Sequence, residues 1–269
     1  MGYLFFYKGV YMFFSKYKRL FLQGQDLLNS VQKLEEGQRQ LFEMMNYLIA
    51  RNEALFEAYW ANVYRDTIID SKWLKNKTVS AGRWAVSYYL LYVLYRILNE
   101  VKPKNILECG LGQSSRLMVQ YAEANNADLI ICENSEKWIE FFKKQYPVAR
   151  NYVHVLDTYM TNVVPQFLSR TYLGFNKLIG DKKFNLVLID GPEGSEHFSR
   201  PNILDLVDNL DSSFVVLLDD MNRIGECETW DMFKKKLDER GVIYREQIFA
   251  SEKRFGMICS PDLEYLLTL

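Results

Sequence analysis

Histidine and cysteine are scarce in this chain, neither sign of charge is in excess, and long apolar runs are missing. Across 269 residues there are two histidines, four cysteines and six prolines. Lysine and arginine number 33 against 34 acids, a net charge of −1. Without a global basic field, a nucleic-acid substrate is disfavoured. Cys109, Cys132, Cys227 and Cys259 lie far apart and form no Cys-x-x-Cys pair. That spacing excludes a disulfide scaffold and predicts reduced, buried thiols in a cytoplasmic protein. No apolar stretch approaches the roughly 20 residues of a membrane-spanning helix, and no small-residue cleavage site follows a clean apolar core.

What is abundant is apolar and aromatic side chain, 49 % and 15 % of the residues. That is enough for a sizeable core and argues against global disorder. Residues 1–22 are rich in Phe, Tyr and Leu but broken by Lys8, Lys16, Lys18 and Arg19. Such a segment suits peripheral contact with an anionic membrane surface; packing on its own domain or on a partner chain is the alternative. Leu20, Leu27, Leu34, Leu41, Leu48 and Leu55 then recur at every seventh residue, the heptad sign of a coiled-coil seam over about 20–57. The companion positions Gly24, Val31, Gln38, Met45 and Asn52 are weaker. The seam predicts a homo-oligomer joined through the N-terminal helix, or a helical arm packed on its own core. Residues 56–100 read as two further helices broken near Asn76-Lys77-Thr78, the second carrying Trp84, Tyr88, Leu91, Tyr95 and Leu98 on a wide apolar face.

From residue 105 strands and helices alternate. Strands are expected at about 105–109, 128–133, 152–156, 184–190, 213–219, 243–249 and 254–259. The intervals between the first six are long enough for crossovers, which predicts a parallel sheet covered on both faces. The last two are separated by too few residues for a crossover and must form an antiparallel hairpin. The fold class is therefore α/β: a Rossmann-like sheet of six parallel strands and a seventh, antiparallel one. A helical arm over 1–78 precedes this domain at 79–269.

In an open α/β sheet, ligands bind beyond the carboxyl ends of the strands. Here those ends carry acids: Glu108, Glu133, Asp157, Asp190 and the pair Asp219-Asp220. After the first strand comes a glycine turn, in which Gly110 permits a sharp bend and Gly112 removes a Cβ from the ligand's path. Glu108 beside that turn is a poor neighbour for a phosphate and a good one for a cation.

Glu108-Cys109-Gly110-Leu111-Gly112-Gln113-Ser114 resembles the acid-x-Gly-x-Gly loop of class I S-adenosylmethionine-dependent methyltransferases, and the resemblance extends from about 80 to 260. It implies S-adenosylmethionine as cofactor, with Glu108, Gly110, Gly112, Ser114 and Ser115 along its methionine part. Glu133 would accept the ribose hydroxyls, and Asp157 would lie near the adenine amine. Ser114 stands where that family often has a third glycine. Asp190, Asp219 and Asp220 resemble the acids that bind a divalent ion in metal-dependent O-methyltransferases of the catechol and sugar-modifying types, the Asp-Asp pair being nearer the latter. This resemblance implies Mg²⁺ or Mn²⁺, with Asp190 belonging to the cofactor-binding and catalytic sets as well. Helix capping or turn formation would account for Asp190 and Asp219 individually. His197 is the candidate general base and Glu193 its substitute, while His154 alternates with valines and reads as structural.

The expected activity is O-methylation of a hydroxyl on a sugar or other small polar metabolite, with a surface-polysaccharide precursor as one candidate. Two alternatives stand beside it. Gly110-x-Gly112-x-x-Ser115 is close to the dinucleotide fingerprint of a NAD-dependent oxidoreductase, although Glu108 would face the pyrophosphate. In a non-catalytic assembly protein, the helical arm would be the functional part.

Overall fold

The computed structural model describes residues 2–82, 85–146 and 150–269, with side chains from residue 16 onward except those of 145 and 150. The expectation for residues 1–22 therefore falls largely on side chains outside those described, and Trp84 lies outside them too. The chain divides into two compact units, residues 1–54 and 55–269. Helix α1, Gly2–Ile68, contributes to both.

Within residues 55–269, seven strands form one sheet. They are β1 (Asn105–Cys109), β2 (Asp128–Glu133), β3 (Val153–Val155), β6 (Phe184–Ile189), β7 (Leu210–Leu218), β8 (Arg245–Ala250) and β9 (Arg254–Cys259), in the order β3-β2-β1-β6-β7-β9-β8. Strands β3, β2, β1, β6 and β7 pair in parallel, and β9 runs antiparallel to both β7 and β8. This is the Rossmann-like sheet of six parallel strands and one antiparallel strand expected from the sequence, with the terminal hairpin reversing one strand.

Because the central strands are buried on both faces, alternate residues feed two cores. Ile106, Leu186, Leu188, Val215 and Leu217 join one core with α2 (Tyr88–Glu100), α3 (Gln113–Asn125) and the last turns of α1, where Tyr64 and Ile68 are buried. Leu107, Val187, Ile189, Val216 and Leu218 join the other with α5 (Phe175–Ile179) and α6 (Ile224–Glu239). The helix start at α2 has a local cause: the Ser87 side chain accepts the Leu90 N–H at 3.2 Å, a standard N-cap. In α4 (Glu136–Gln145), Ser135 does the same for Trp138.

Two expectations need correction. The first of the two helices expected over 56–100 is not separate: it is the end of α1, which stops at Ile68, and the break expected near 76 is wider than one turn, regular helix resuming only at Tyr88. Lys75, Asn76 and Thr78 lie in the connection, where the Asn76 N–H bonds to Gln120 of α3. Second, the interval between β3 and β6 is not a plain helical crossover. It holds an antiparallel hairpin, β4 (Thr158–Val164) and β5 (Phe167–Tyr172), before the short α5. Thr, Tyr and Val in these segments favour strand, and Pro165 at the turn punctuates them. The signal was present in the sequence, but only the expected crossover was read from it.

Candidate active site

The glycine turn between β1 and α3 is built as its residues require. Gly110 has φ +101°, a region open to glycine and strained for other residues. A Cβ on Gly191 would lie 2.9 Å from Gly110 Cα and 2.7 Å from Tyr172 Oη. The loops after β1 and β6 thus meet backbone to backbone, which brings Asp190 to the cofactor-type turn. Gly112 is the N-cap of α3, and its N–H donates to Ser115 Oγ at 2.9 Å. A Cβ on Gly112 would meet nothing nearer than Ser114 Oγ at 4.0 Å.

A cavity of about 560 Å³ opens at this turn, lined by Ser80, Ala85, Val86, Leu111, Gly112, Gln113, Ser114, Trp138 and Asp190. Asp190 is the one carboxylate among these lining residues. Trp138, from α4, donates its indole N–H to the Leu111 carbonyl at 2.7 Å, which fixes an aromatic face at the cavity. Sequence reasoning did not single out Trp138; a tryptophan on an amphipathic helix carries no signal that separates it from core residues.

Glu108 is fully buried, and Ser114 Oγ donates to its Oε1. Its Oε2 accepts no hydrogen bond among the described residues. Burial pushes its carboxyl up to about 8, the serine hydrogen bonds offsetting only part of that, while Asp190 and Glu133 push the same way. Glu133 accepts three backbone N–H groups: Leu111 at 3.1 Å, and Asn134 and Ser135 at 2.8 Å each. It therefore ties the glycine turn to the end of β2. Asp157 is exposed where β3 hands over to β4 and is not among the lining residues.

Asp190, Asp219 and Asp220 do converge, each offering an oxygen within 4.8 Å of the others. Helix capping does not explain them, since α6 begins at the N-cap Arg223 without a side-chain cap. Cations already stand among them. Arg200, only 3 % exposed, donates to the Asp219 carbonyl at 2.9 Å and to Asp220 Oδ2 at 2.7 Å, and pairs with Asp190 Oδ1 at 3.1 Å. Burial works against the charge on Arg200, but Asp190, Asp220, Glu226 and Asp219 more than offset it and raise its pKa. Lys253, in the β8–β9 turn, reaches Asp220 at 3.3 Å and Asp219 at 3.8 Å, and Arg223 reaches Asp220 at 3.1 Å. Burial raises the Asp220 carboxyl, and Arg200, Lys253 and Arg223 reverse that to a net lowering. Asp219, fully buried, has two oxygens that accept no hydrogen bond among the described residues. Burial and then Asp190 push its carboxyl up to about 7.

This donor set is a poor fit for a divalent ion. Oxygen ligands suit Mg²⁺ or Mn²⁺, but both Asp220 oxygens and one Asp190 oxygen are already engaged by cations. Four carboxylates, counting buried Glu226, against Arg200, Lys253 and Arg223 leave one net negative charge. An added double charge would overcompensate it, and nearby fixed cations would repel the ion. Arg223 lies only three residues after Asp220, whereas the pairing of Arg200 with Asp220 and of Lys253 with Asp219 joins separate loops and carries no local signature.

His197 sits on the loop after β6, its Nδ1 3.0 Å from Glu228 Oε1 and its ring tilted against that of Phe167, with centroids 4.1 Å apart. Glu193 is exposed on the same loop. Neither is among the lining residues of the cavity. His154 is partly buried in β3; burial, then Lys182, lowers its pKa.

No family model matches the sequence, and no curated protein matches it. Similar solved structures include a putative caffeoyl-CoA O-methyltransferase from Staphylococcus aureus, 15 % identical with a TM-score of 0.47, covering 77 % of this chain and all of that one. The S-adenosylhomocysteine-bound methyltransferase PaMTH1 of Podospora anserina is 15 % identical with a TM-score of 0.42, over 70 % of this chain and 84 % of that one. A methyltransferase from Pyrococcus furiosus is 13 % identical with a TM-score of 0.42, over 75 % and 96 %.

Proposed function

We propose that this chain is an S-adenosylmethionine-dependent O-methyltransferase acting on a hydroxyl of a sugar or other small polar metabolite. The observation that carries the reading is the cavity at the carboxyl ends of β1 and β6, which joins the glycine turn, the Trp138 face and the Asp190 carboxylate. Glu108 behind the turn is an acid that a bound sulfonium would ionise and a pyrophosphate would not, which is why the dinucleotide alternative ranks second. In this reading the methionine part lies along Gly110, Gly112 and Ser114, and Ser115 supports the turn. The ribose meets the edge of Glu133. Asp157 remains the assignment for the adenine amine, reached from the β3–β4 junction.

Methyl transfer from a sulfonium asks mainly that the acceptor oxygen be held in line with the methyl group and lose its proton. Asp190 is the carboxylate beside the cavity, and burial raises its pKa against the opposing pull of Arg200. It is the group we assign to accept that proton. Paired with Glu228, His197 is a reserve base, and exposed Glu193 ranks behind it. Positive charge near the acceptor comes from Arg200 and Lys253, so the reading routes no step through Mg²⁺ or Mn²⁺.

Calorimetric titration with S-adenosylhomocysteine and with NAD⁺ tests the reading. One-site binding of the former and none of the latter is expected. Asp190→Asn should keep that binding while abolishing transfer of labelled methyl to an accepted substrate. Binding of NAD⁺ alone would replace the proposal with the oxidoreductase alternative.

A further inference from the structure

Helix α1 presents an apolar face that residues 16–54 do not cover. The six heptad leucines, Leu20 to Leu55, are between 57 and 69 % exposed. The next position along the helix repeats the pattern: Phe21, Leu28, Phe42 and Ile49 are all exposed. With the leucines at d, these are e positions, and Val31 and Met45 add apolar side chains at a. The apolar face therefore takes three positions of the heptad, the width of a helix that packs into a bundle. A single helix this long, holding Gly24 and Gly37, draws most of its stability from packing and not from propensity.

We propose that this face is covered by further copies of the same chain, in a parallel, in-register coiled-coil assembly. Three features select that occupant. The first is area. The twelve side chains named span about 50 Å of helix, and losing on the order of 100 Å² each would bury roughly 1,200 Å² per copy, above the ~800 Å² per partner of a stable interface. The second is charge. Between Leu20 and Leu55 the a, d, e and g positions hold only Glu35 and Arg51, of opposite sign. The other charges, Asp26, Lys33, Glu36, Arg39, Glu43 and Glu53, fall at b, c and f. A face this nearly neutral does not repel its own copy. The third is register. Gln38 and Asn52 occupy a positions two heptads apart. In a parallel assembly each meets its own copy, amide to amide. In an antiparallel pair a faces d, so both amides would be buried against leucine.

The test uses the full chain. Light scattering after size exclusion at 50 µM should give a mass of more than one chain. Leu34→Lys with Leu41→Lys, both at exposed positions, should give a monomer whose melting transition, followed by tryptophan emission, is unchanged. A Gln38→Cys variant should cross-link to itself under mild oxidation, and the wild-type chain should not. A monomeric wild type at 50 µM, or an oligomer that survives both lysines, overturns the proposal. An oligomer in which Gln38→Cys does not cross-link overturns the parallel register. A wild type that is monomeric in solution but sediments with phosphatidylglycerol vesicles assigns the face to membrane and likewise overturns it.

Discussion

Replacing Glu108 by glutamine tests the buried carboxyl beneath the glycine turn. The native carboxyl is fully buried, and burial lifts it from an ordinary 4.5 to about 8 despite the Ser114 and Ser115 hydrogen bonds. Between those two values the folded chain keeps a proton that the unfolded chain has lost. This contribution to stability is therefore whole below about pH 4.5, falls as pH rises, and levels off above about pH 8. At about 1.4 kcal/mol per pH unit the loss is on the order of 5 kcal/mol. Glutamine keeps an oxygen to accept from Ser114 and has no proton to lose. Relative to wild type, Glu108→Gln should thus melt at nearly the same temperature at pH 5 and on the order of 10 °C higher at pH 9. Scanning calorimetry of both proteins across that range measures the difference, and a gap that does not change with pH would refute the reasoning. The same proton bears on the donor. A bound sulfonium favours the ionised carboxylate, so titrating S-adenosylmethionine near pH 7 in buffers of differing ionisation enthalpy should release up to one proton. S-adenosylhomocysteine, lacking that charge, should release less, and Glu108→Gln should abolish the difference.

Two further substitutions probe the neighbouring walls. Trp138→Ala removes both the aromatic face and the hydrogen bond to Leu111; S-adenosylhomocysteine affinity should fall roughly 10- to 100-fold, by about 1.5–3 kcal/mol, as loss of an aromatic contact and its hydrogen bond predicts. Titration calorimetry would read it, and unchanged affinity would remove Trp138 from the donor site. Gly191→Ala places a Cβ 2.9 Å from Gly110 Cα and 2.7 Å from Tyr172 Oη, so it should cost about 1–3 kcal/mol of stability. Denaturant unfolding would measure that, and a neutral result would mean that the two loops separate easily.

The sequence by itself determined what local chemistry controls. Runs such as Leu186-Val187-Leu188-Ile189 are strands because they are apolar on both faces, and the short link at 250–253 leaves only a hairpin. The turn at Gly110 and the acids at the strand ends were legible because glycine conformation and strand direction are properties of short segments. The hairpin of β4 and β5 was equally local, and it was missed because a parallel sheet invited a crossover there. Tertiary structure alone decided the electrostatics. Arg223 follows Asp220 by three residues, but Arg200 and Lys253 come from other loops, and nothing in their neighbours along the chain reveals that they meet Asp219 and Asp220. Folding set those cations within 4 Å of the carboxylates, so that Asp190 and Asp220 are already engaged in ion pairs. Removal from water gave Glu108 and Asp219 their raised pKa values in the same way. Charge and burial act through space between groups distant in sequence, whereas propensity and periodicity act along the chain.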